Sequence, residues 1–291
     1  MVLIDGKKVA TEIKENIAKE TEKIKNQGII PGLAVILVGQ NSASQIYVNS
    51  KEKACKQLGF YSEKKVFPDD ISEEILLAEI DRLNNDDKVH GILVQLPLPS
   101  HISEDNVLLS INPEKDVDGF HPMNVGKLVT GQDTLYPCTP YGIIKLLEYY
   151  KIQTEGKHVV VLGRSNIVGK PVGMLLLQKG KFGNATVTYC HSRTQNLKEI
   201  TCQADILVAA IGNPKFVTQD FIKKEAIVID VGINRISDDT REKGYRIVGD
   251  VDFEDVKEKV SYITPVPGGV GAMTIAMLMY NVLKAAKSQS S

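Results

Sequence analysis

The sequence predicts an α/β protein in which two parallel-sheet units follow one another along the chain. Short, continuously apolar runs of the kind that forms buried parallel strands recur, and segments with helical apolar spacing lie between most of them. A stretch rich in Pro, Gly, Asp and Thr, from about residue 111 to residue 140, interrupts this alternation before it starts again. Because alternating strands and helices are typical of a parallel sheet covered by helices, we expect two such sheets in series.

The first unit reads as a helix followed by β-α-β-α-β. Apolar residues recur at helical spacing over residues 6–27, and Gly28 is a suitable carboxyl-terminal cap. The run LAVILVG (33–39) is typical of a buried strand, and a helix is expected from Ser42 to about Leu58. The remaining expected elements are the strand YSEKKVF, a helix over 72–84 and the strand GILVQLPLP.

The second unit repeats this pattern after the interruption. Its expected elements are the strand KHVVVLG, a helix from about residue 169, the strand ATVTYC, a short helix near 197–202, the strands ADILVAA and AIVIDVG, and an apolar helix over about 272–286. The loop TPVPGGVGAM precedes that last helix and has too much Pro and Gly for regular structure.

Composition excludes several classes of protein. The 291 residues are 43% hydrophobic and 24% charged, as in a globular protein with a core, and the net charge of -1 gives no drive toward nucleic acid or an anionic membrane. No apolar run approaches the roughly 20 residues of a membrane-spanning helix, and MVLIDGKKVA lacks the order of a secretory signal. The four cysteines and five histidines show no metal-ligand spacing. We therefore expect a cytoplasmic protein without a metal, a membrane or a nucleic-acid partner.

The stretch VLGRSNIVGKP resembles a phosphate-binding loop but matches neither common pattern. Its glycines are one residue too far apart for G-x-x-x-x-G-K-[ST], and Ser165 replaces the middle glycine of G-x-G-x-x-G. Gly163 nevertheless ends an apolar strand and Gly169 precedes a helix, where free N–H groups are expected to meet a phosphate. A plain glycine turn is the alternative.

The next strand favours NADP over NAD. An NAD site calls for an acidic residue at the end of that strand, whereas ATVTYC continues into His191, Ser192 and Arg193. Hydroxyl and guanidinium groups suit a 2′-phosphate, and Arg164 adds a second cation. Arg193 is alternatively a solvated surface charge.

Chemically useful side chains also occur in the first unit. Tyr47 and Lys51 lie four residues apart, hence on one helix face, where a phenol can stack on a flat ring and a lysine can act as acid or base. Gln95 lies in an apolar strand and needs a polar partner, and Asp116 and Asp118 lie in an Asp-Gly turn. The alternatives are an ordinary amphipathic helix and local turn caps.

Taken together, these segments resemble the bifunctional methylenetetrahydrofolate dehydrogenase/cyclohydrolase family of FolD type. The matching strings are YVNSK (47–51), GILVQLPLP (91–99), KDVDGFHP (115–122), PCTP (137–140), GRSNIVGKP (163–171), TYCHSRT (188–194), VIDVGINR (228–235), GDVDF (249–253) and TPVPGGVGAMT (264–274). They follow the family's order over most of the chain, so the resemblance is highly specific.

The resemblance implies a folate-binding and catalytic domain over 1–139, an NADP-binding Rossmann-like domain over 140–271, and a cleft between them. The carboxyl-terminal helix, 272–291, would pack back on the first domain. The family is usually a homodimer built through the NADP domain. The implied activity is oxidation of 5,10-methylenetetrahydrofolate with NADP, followed by hydrolysis of the 5,10-methenyl cation to 10-formyltetrahydrofolate.

The resemblance also implies roles for individual residues. Lys51 matches the general acid/base, Tyr47 the ring that stacks on the folate, Gln95 the amide that tunes the lysine, and Asp118 the carboxylate that holds the pterin. The substrate-side loop matches at Pro265, Gly268 and Gly269, and the NADP contacts match at Gly163, Arg164, Ser165, Ser192 and Ile233, with Arg164 and Ser192 at the 2′-phosphate.

Two departures from the family pattern leave the matched residues in place. Ala272 stands where the family usually has proline, so we expect a less rigid loop, and residues 179–184 lengthen a connection in the NADP domain. Three rival functions stay open at this point: a dehydrogenase without hydrolysis, a dehydrogenase of another small substrate resembling shikimate dehydrogenases, and a non-catalytic nucleotide sensor.

Overall fold

The computed structural model describes residues 1–242 and 244–290, without the side chains of Ser42 and Ala43. The chain divides into two compact units. The three-stranded unit comprises Thr11–Cys138 and Ile275–Ser291, and the six-stranded unit comprises Met1–Ala10 and Thr139–Thr274.

Strands and helices alternate along most of the chain. In order, the elements are β1 (Val2–Leu3), α1 (Gly6–Lys25), β2 (Gly32–Val38), α2 (Ser42–Leu58), β3 (Tyr61–Phe67), α3 (Glu73–Asn84), β4 (Gly91–Val94), α4 (Glu104–Ser110), α5 (Pro122–Val129), α6 (Cys138–Tyr149), β5 (His158–Leu162), α7 (Gly169–Leu177), β6 (Thr186–Cys190), α8 (Leu197–Thr201), β7 (Ile206–Ala209), β8 (Ile227–Asp230), β9 (Asn234–Ser237), β10 (Tyr245–Val248), α9 (Phe253–Val256), β11 (Tyr262–Ile263) and α10 (Val270–Gln289). A 3₁₀ turn over Gln219–Phe221 precedes β8.

The three-stranded unit is built on the parallel sheet β3-β2-β4. All seven residues of β2 are buried, as its unbroken apolar run predicts for a central strand. One side of the sheet contributes Ala34, Ile36 and Ile92 to a core that also holds Leu76 and Ile80 from α3. This core supports the carboxyl ends of the strands, after which the functional candidates of the unit follow.

The six-stranded unit has a parallel sheet of strand order β1-β11-β8-β7-β5-β6. Its four longer strands are those that the apolar runs predict, and their buried side chains form a continuous core with residues such as Phe221 and Val256. The antiparallel pair β9 and β10 lies outside this sheet. Since all six strands are parallel, the loops at their carboxyl ends share one edge, where ligands bind in such sheets.

The expected fold class, two α/β units with a Rossmann-like parallel sheet in the second, is confirmed. The compact units differ from the expected domains at the amino terminus: residues 1–10, expected in the first domain, group with the six-stranded unit, in which β1 pairs with β11. Helices α4, α5 and α6 lie in segments for which we expected none. Gln95 lies just beyond β4 rather than within a strand, with its N–H donating to the Ile36 carbonyl at 2.9 Å.

The final helix begins at Val270, two residues earlier than expected. Ala272 therefore lies in the first turn of α10, where its N–H donates to the Gly269 carbonyl at 3.2 Å. Ala272 thus lies in a helix and not in the loop to which we assigned it, and alanine is well suited to a helix.

Candidate active site

A lysine and an amide lie in contact at the carboxyl edge of the three-stranded sheet. Helix α2 is fixed by Asn41, whose side chain accepts a hydrogen bond from the Ser44 N–H, and ends at Gly59 in the left-handed conformation. Lys51 on this helix is only 9% exposed, and its Nζ donates to Gln95 Oε1 at 2.9 Å. Gln95 Nε2 donates to the Leu96 carbonyl at 2.8 Å, so Gln95 Oε1 stays directed at Lys51. The structure thus brings together two residues expected to act as a pair.

Asp118 belongs to the same cluster. Burial is the main cause that raises the pKa of its carboxyl, the neighbouring Asp116 adds to that effect, and the Lys51 cation opposes it. A raised pKa means that this carboxyl group keeps its proton to a higher pH than an exposed aspartate does. The site therefore presents a cation, an amide and a titratable carboxyl group, a set that can hold a heterocycle and move a proton.

Asp116 is a turn cap that shapes the loop carrying Asp118. Its carboxylate accepts from the N–H groups of Gly119 at 3.1 Å and His121 at 2.8 Å, and from Asn124 Nδ2 at 2.9 Å. Asn124 is buried and its amide oxygen accepts from the Thr134 hydroxyl at 2.7 Å. The local-cap alternative is therefore correct for Asp116. The supporting role of Asn124 has no sequence signal, since no spacing rule relates it to the turn.

Tyr47 lies one helical turn before Lys51 and is 44% exposed. The neighbouring Ile46 is 59% exposed. An exposed phenol ring beside an exposed aliphatic side chain offers a flat apolar surface on which an aromatic ring can stack. Tyr47, Lys51, Gln95 and Asp118 all belong to the three-stranded unit.

The remaining candidates belong to the six-stranded unit, and the first group forms the loop between β5 and α7. Gly163 has a φ of +126°, and a Cβ there would overlap the Ala210 carbonyl oxygen. A Cβ on Gly169 would lie 2.5 Å from the Gly163 carbonyl oxygen. Both glycines are therefore required for close backbone packing. Arg164 and Ser165 between them are exposed.

The expectation of free N–H groups at the start of α7 is wrong. Ser165 Oγ accepts from the N–H groups of Val168 and Gly169, both at 3.2 Å, and the Ser165 carbonyl accepts from Lys170 at 3.0 Å. Pro171 has no N–H. The first turn of the helix is thus capped by the loop itself. A phosphate at this loop must be bound by side chains such as Arg164 and by the loop preceding the helix.

The turn after β6 adds a second set of polar groups at the same edge of the sheet, because β5 and β6 are paired neighbours. Ser192 and Arg193 are exposed, and the turn is held by the His191 N–H, which donates to Thr194 Oγ1 at 2.9 Å. The segment from His191 to Thr194 contains no carboxylate. A hydroxyl and a guanidinium group here, with Arg164 on the adjacent loop, fit the 2′-phosphate of NADP and not the free ribose hydroxyls of NAD.

Ile233 and the Pro265–Gly269 loop complete the candidates of this unit. Ile233 follows β8, is 48% exposed, and would contact any Cβ placed on Gly271 in the first turn of α10. Gly268 has a φ of +112°, and its carbonyl accepts from the Lys7 N–H at 3.1 Å. The loop is therefore a fixed backbone surface with one exposed aliphatic side chain beside it.

Two general features bear on the chemistry. Within the described ranges 1–242 and 244–290, no group of three or more His, Cys, Asp or Glu side chains is arranged to hold a metal ion. Over the same ranges no helix combines the length and apolarity that a membrane span needs.

Comparisons with known proteins identify the two domains of the chain. Residues 4–118 match the catalytic domain of tetrahydrofolate dehydrogenase/cyclohydrolase, and residues 137–290 match its NAD(P)-binding domain. A curated relative from Bacillus anthracis, the bifunctional protein FolD, is 58% identical over 286 residues, covering 98% of this chain and 96% of the relative.

Two solved structures extend the comparison to the fold. The bifunctional FolD methylenetetrahydrofolate dehydrogenase/cyclohydrolase from Campylobacter jejuni is 52% identical, with a TM-score of 0.94 and 99% coverage of both chains. The FolD enzyme of Trypanosoma brucei, solved with NADP cofactor and an inhibitor, is 40% identical, with a TM-score of 0.94 and coverage of 100% of this chain and 98% of that one.

These matches confirm the expected family, enzyme class and NADP cofactor, and they support a folate substrate. Both domain types are present, and the two solved structures, which align with nearly the whole of this chain, carry both activities in their names. The chain belongs to the tetrahydrofolate dehydrogenase/cyclohydrolase family, as a bifunctional NADP-dependent enzyme of one-carbon metabolism.

Proposed function

We propose that Lys51, Gln95, Tyr47 and Asp118 form the folate-binding and proton-transfer site of this enzyme. The observation that carries the proposal is the Lys51 Nζ to Gln95 Oε1 hydrogen bond of 2.9 Å beside the raised pKa of Asp118. The three-stranded unit then serves as the folate-binding domain. The six-stranded unit serves as the cofactor domain, with Gly163, Arg164, Ser165, Ser192 and Ile233 as its NADP contacts.

In the dehydrogenase step, the chain's task is alignment. NADP, when bound, supplies the nicotinamide carbon that accepts the hydride from the bridging carbon of 5,10-methylenetetrahydrofolate. Tyr47 stacks on the folate ring system and Asp118 holds the pterin, so the donor carbon has one orientation. Pro265, Gly268 and Gly269 are proposed as further substrate contacts. The flanking folate nitrogens stabilise the cation that forms.

In the cyclohydrolase step, the chain must move a proton. Water adds to the cationic carbon of 5,10-methenyltetrahydrofolate with release of one proton to solvent, and the resulting neutral carbinolamine collapses as one carbon–nitrogen bond breaks. We assign to Lys51 the transfer of a proton from the added water to the leaving nitrogen. Gln95 accepts one N–H of Lys51 and so fixes the direction of the remaining valences of Nζ. The buried position of this pair limits its freedom to rotate.

Replacing Arg164 with alanine is expected to weaken NADPH binding about tenfold, because one cation–phosphate hydrogen bond is lost. NADH lacks the 2′-phosphate, so its weaker binding should change less than about twofold. Fluorescence titration of both reduced cofactors measures the two effects. An equal loss for NADPH and NADH would contradict the assignment of Arg164 to the 2′-phosphate. The same titration on Arg193→Ala decides whether that cation is a second phosphate contact or a solvated charge.

A spectroscopic assay of the purified chain with 5,10-methylenetetrahydrofolate and NADP tests the whole proposal. Reduced NADP should appear without lasting accumulation of the methenyl product. Methenyl product that persists would leave a dehydrogenase alone, and the absence of turnover with NADP and with NAD would favour a non-catalytic nucleotide-binding protein. A dehydrogenase of another small substrate would likewise show no turnover of the folate.

We further propose that the chain forms a homodimer through the six-stranded unit and functions in the cytoplasm. The dimer is supported by the family resemblance and by the position of β6 at the end of the strand order, where its outer side pairs with no other strand of the described residues. Light scattering should give twice the chain mass of 32.0 kDa, and a value equal to that mass would refute the dimer. Cell fractionation tests the location, and recovery in a membrane or secreted fraction would contradict it.

A further inference from the structure

Two buried carboxylates of the six-stranded unit have no part in the chemistry assigned above. Asp230 ends β8 and is 4% exposed, and Asp250 lies two residues beyond β10 and is fully buried. Each accepts three hydrogen bonds from N–H groups. In the part of the chain that the structure describes, neither is joined to a cation. Buried carboxylates that are satisfied by neutral donors are expensive to desolvate, so their retention needs an explanation.

Asp250 joins two loops at the carboxyl edge of the sheet. Its Oδ2 accepts from the N–H groups of Ile211 at 2.7 Å and Gly212 at 3.0 Å, just beyond the end of β7. Its Oδ1 accepts from the side-chain amide of Asn234 at 2.9 Å, at the start of β9. One side chain therefore fixes the distance between the loop that follows β7 and the loop that follows β8.

Asp230 in turn holds Asp250 in place. Its Oδ1 accepts from the N–H groups of Asp250 at 2.9 Å and Gly232 at 3.0 Å, and its Oδ2 accepts from Val251 at 3.0 Å. A Cβ on Gly232 would overlap the Asp250 side chain, and a Cβ on Gly249 would overlap that of Asp230. With backbone packed against both carboxylates, neither can move without moving the loops.

Both loops that Asp250 joins touch proposed cofactor contacts. Ile211 follows Ala210, the residue whose carbonyl oxygen lies against Gly163. Asn234 follows Ile233. Asp250 thus bonds to the residue next to Ala210, which packs against Gly163, and to the residue next to Ile233.

We infer that Asp250, held by Asp230, is a positioning residue for NADP that sets the Gly163 loop and Ile233 in the geometry the cofactor requires. The inference rests on the cofactor roles proposed above for Gly163 and Ile233. Asp250 itself touches no reacting group. Its loss should therefore weaken the cofactor and spare the hydrolysis of 5,10-methenyltetrahydrofolate, a reaction that consumes no NADP.

The test is Asp250→Asn, which changes the side-chain volume little. It replaces one carboxylate oxygen, which accepts hydrogen bonds in the parent, with an NH₂ group that cannot accept them. The Kd for NADPH, from fluorescence titration, should rise about tenfold or more. The cyclohydrolase rate, measured on methenyl substrate with no cofactor added, should stay within about twofold of the parent. An unchanged Kd would overturn the inference, and so would an equal fall in NADPH binding and in hydrolysis, since that pattern marks general loss of structure.

Two further variants keep the test decisive. Asn234→Ala removes only one arm of the network and should raise the Kd about threefold even if Asp250→Asn does not fold; no rise would overturn the inference. Asp205→Asn is the control, because Asp205 accepts from the N–H of His158, the first residue of β5, at 3.0 Å and pairs with Lys223 at 2.7 Å, at the amino ends of the strands of the same sheet. Asp205→Asn should leave the Kd unchanged.

Arg164→Ala, measured in parallel, separates this inference from the proposed site. If Arg164→Ala weakens NADPH and Asp250→Asn does not, the positioning role is wrong and the cofactor site stands. If Arg164→Ala has no effect on NADPH, the assignment of the cofactor loop itself fails.

Discussion

Lys51→Met is expected to lower the rate of methenyltetrahydrofolate hydrolysis by a factor of about 10³, within the range for loss of a general acid or base. Methionine has nearly the length of the lysine stem but neither accepts nor donates the proton that the carbinolamine must transfer. The bond from Nζ to Gln95 Oε1 is lost at the same time. The measurement is the decay of methenyl absorbance with purified variant in excess.

NADPH binding should be unchanged in Lys51→Met, because the proposed cofactor contacts belong to the six-stranded unit. Lys56→Met is the matched control: Lys56 lies on the same helix, pairs with Glu52 at 2.8 Å and has a 72% exposed side chain. It should hydrolyse the substrate at the parent rate. Hydrolysis at the parent rate in Lys51→Met itself would remove the lysine from the mechanism. A fall shared by both lysine variants would point to the helix rather than to Lys51.

Gly163→Ala is expected to weaken NADPH binding by about a hundredfold or more, a larger effect than that of Arg164→Ala. A φ of +126° lies outside the left-handed helical well and is a conformation that residues with a Cβ rarely adopt. The added methyl group would also overlap the Ala210 carbonyl oxygen. The loop must therefore move away from Ala210, and Arg164 and Ser165 move with it. Titration with NADPH measures the loss.

Gly156→Ala is the control that distinguishes the effect of displacing the Gly163 loop from the effect of backbone strain alone. Gly156 also has a positive φ, +70°, but a Cβ there would meet no atom within 4 Å. Its substitution should cost about 1 kcal/mol of stability, the usual penalty for a side chain in the left-handed region, and leave the Kd for NADPH unchanged. Parent-like binding in Gly163→Ala would show that the loop tolerates a side chain and would undermine its assignment to the cofactor. Equal weakening of NADPH binding in Gly163→Ala and Gly156→Ala would also undermine that assignment.

Local patterns predicted the longer strands well because their causes are local. The apolar run at 33–39 is buried in β2, and the run that starts at His158 forms β5, since a strand covered on both faces must be apolar throughout. Pairings between distant segments have no such signature. Strand β1 has only two residues and is recognisable as a strand only through its pairing with β11, near the other end of the chain.

The site shows the same division. The resemblance pointed to Lys51 and Gln95, and the structure added the direction of their hydrogen bond. The prediction that free N–H groups at the start of α7 bind a phosphate was wrong, because Ser165 within the loop caps the helix. From the sequence alone, Ser165 could equally have been an exposed residue that contacts the ligand. The partners of Asp250 lie on other segments, and Asn124 lies beyond the turn that Asp116 caps, so no spacing rule identifies these contacts.

The sequence by itself determined the α/β class, the order of the longer strands, the family and the residue types at the site, since each follows from periodicity or from a contiguous motif. Only the tertiary structure decided that residues 1–10 belong to the six-stranded unit, that the first turn of α7 is already capped, and that Asp250 spans two loops. The physical reason is that a buried polar group must be satisfied by whatever donor the fold brings near it. That donor is set by the packing of segments remote in sequence.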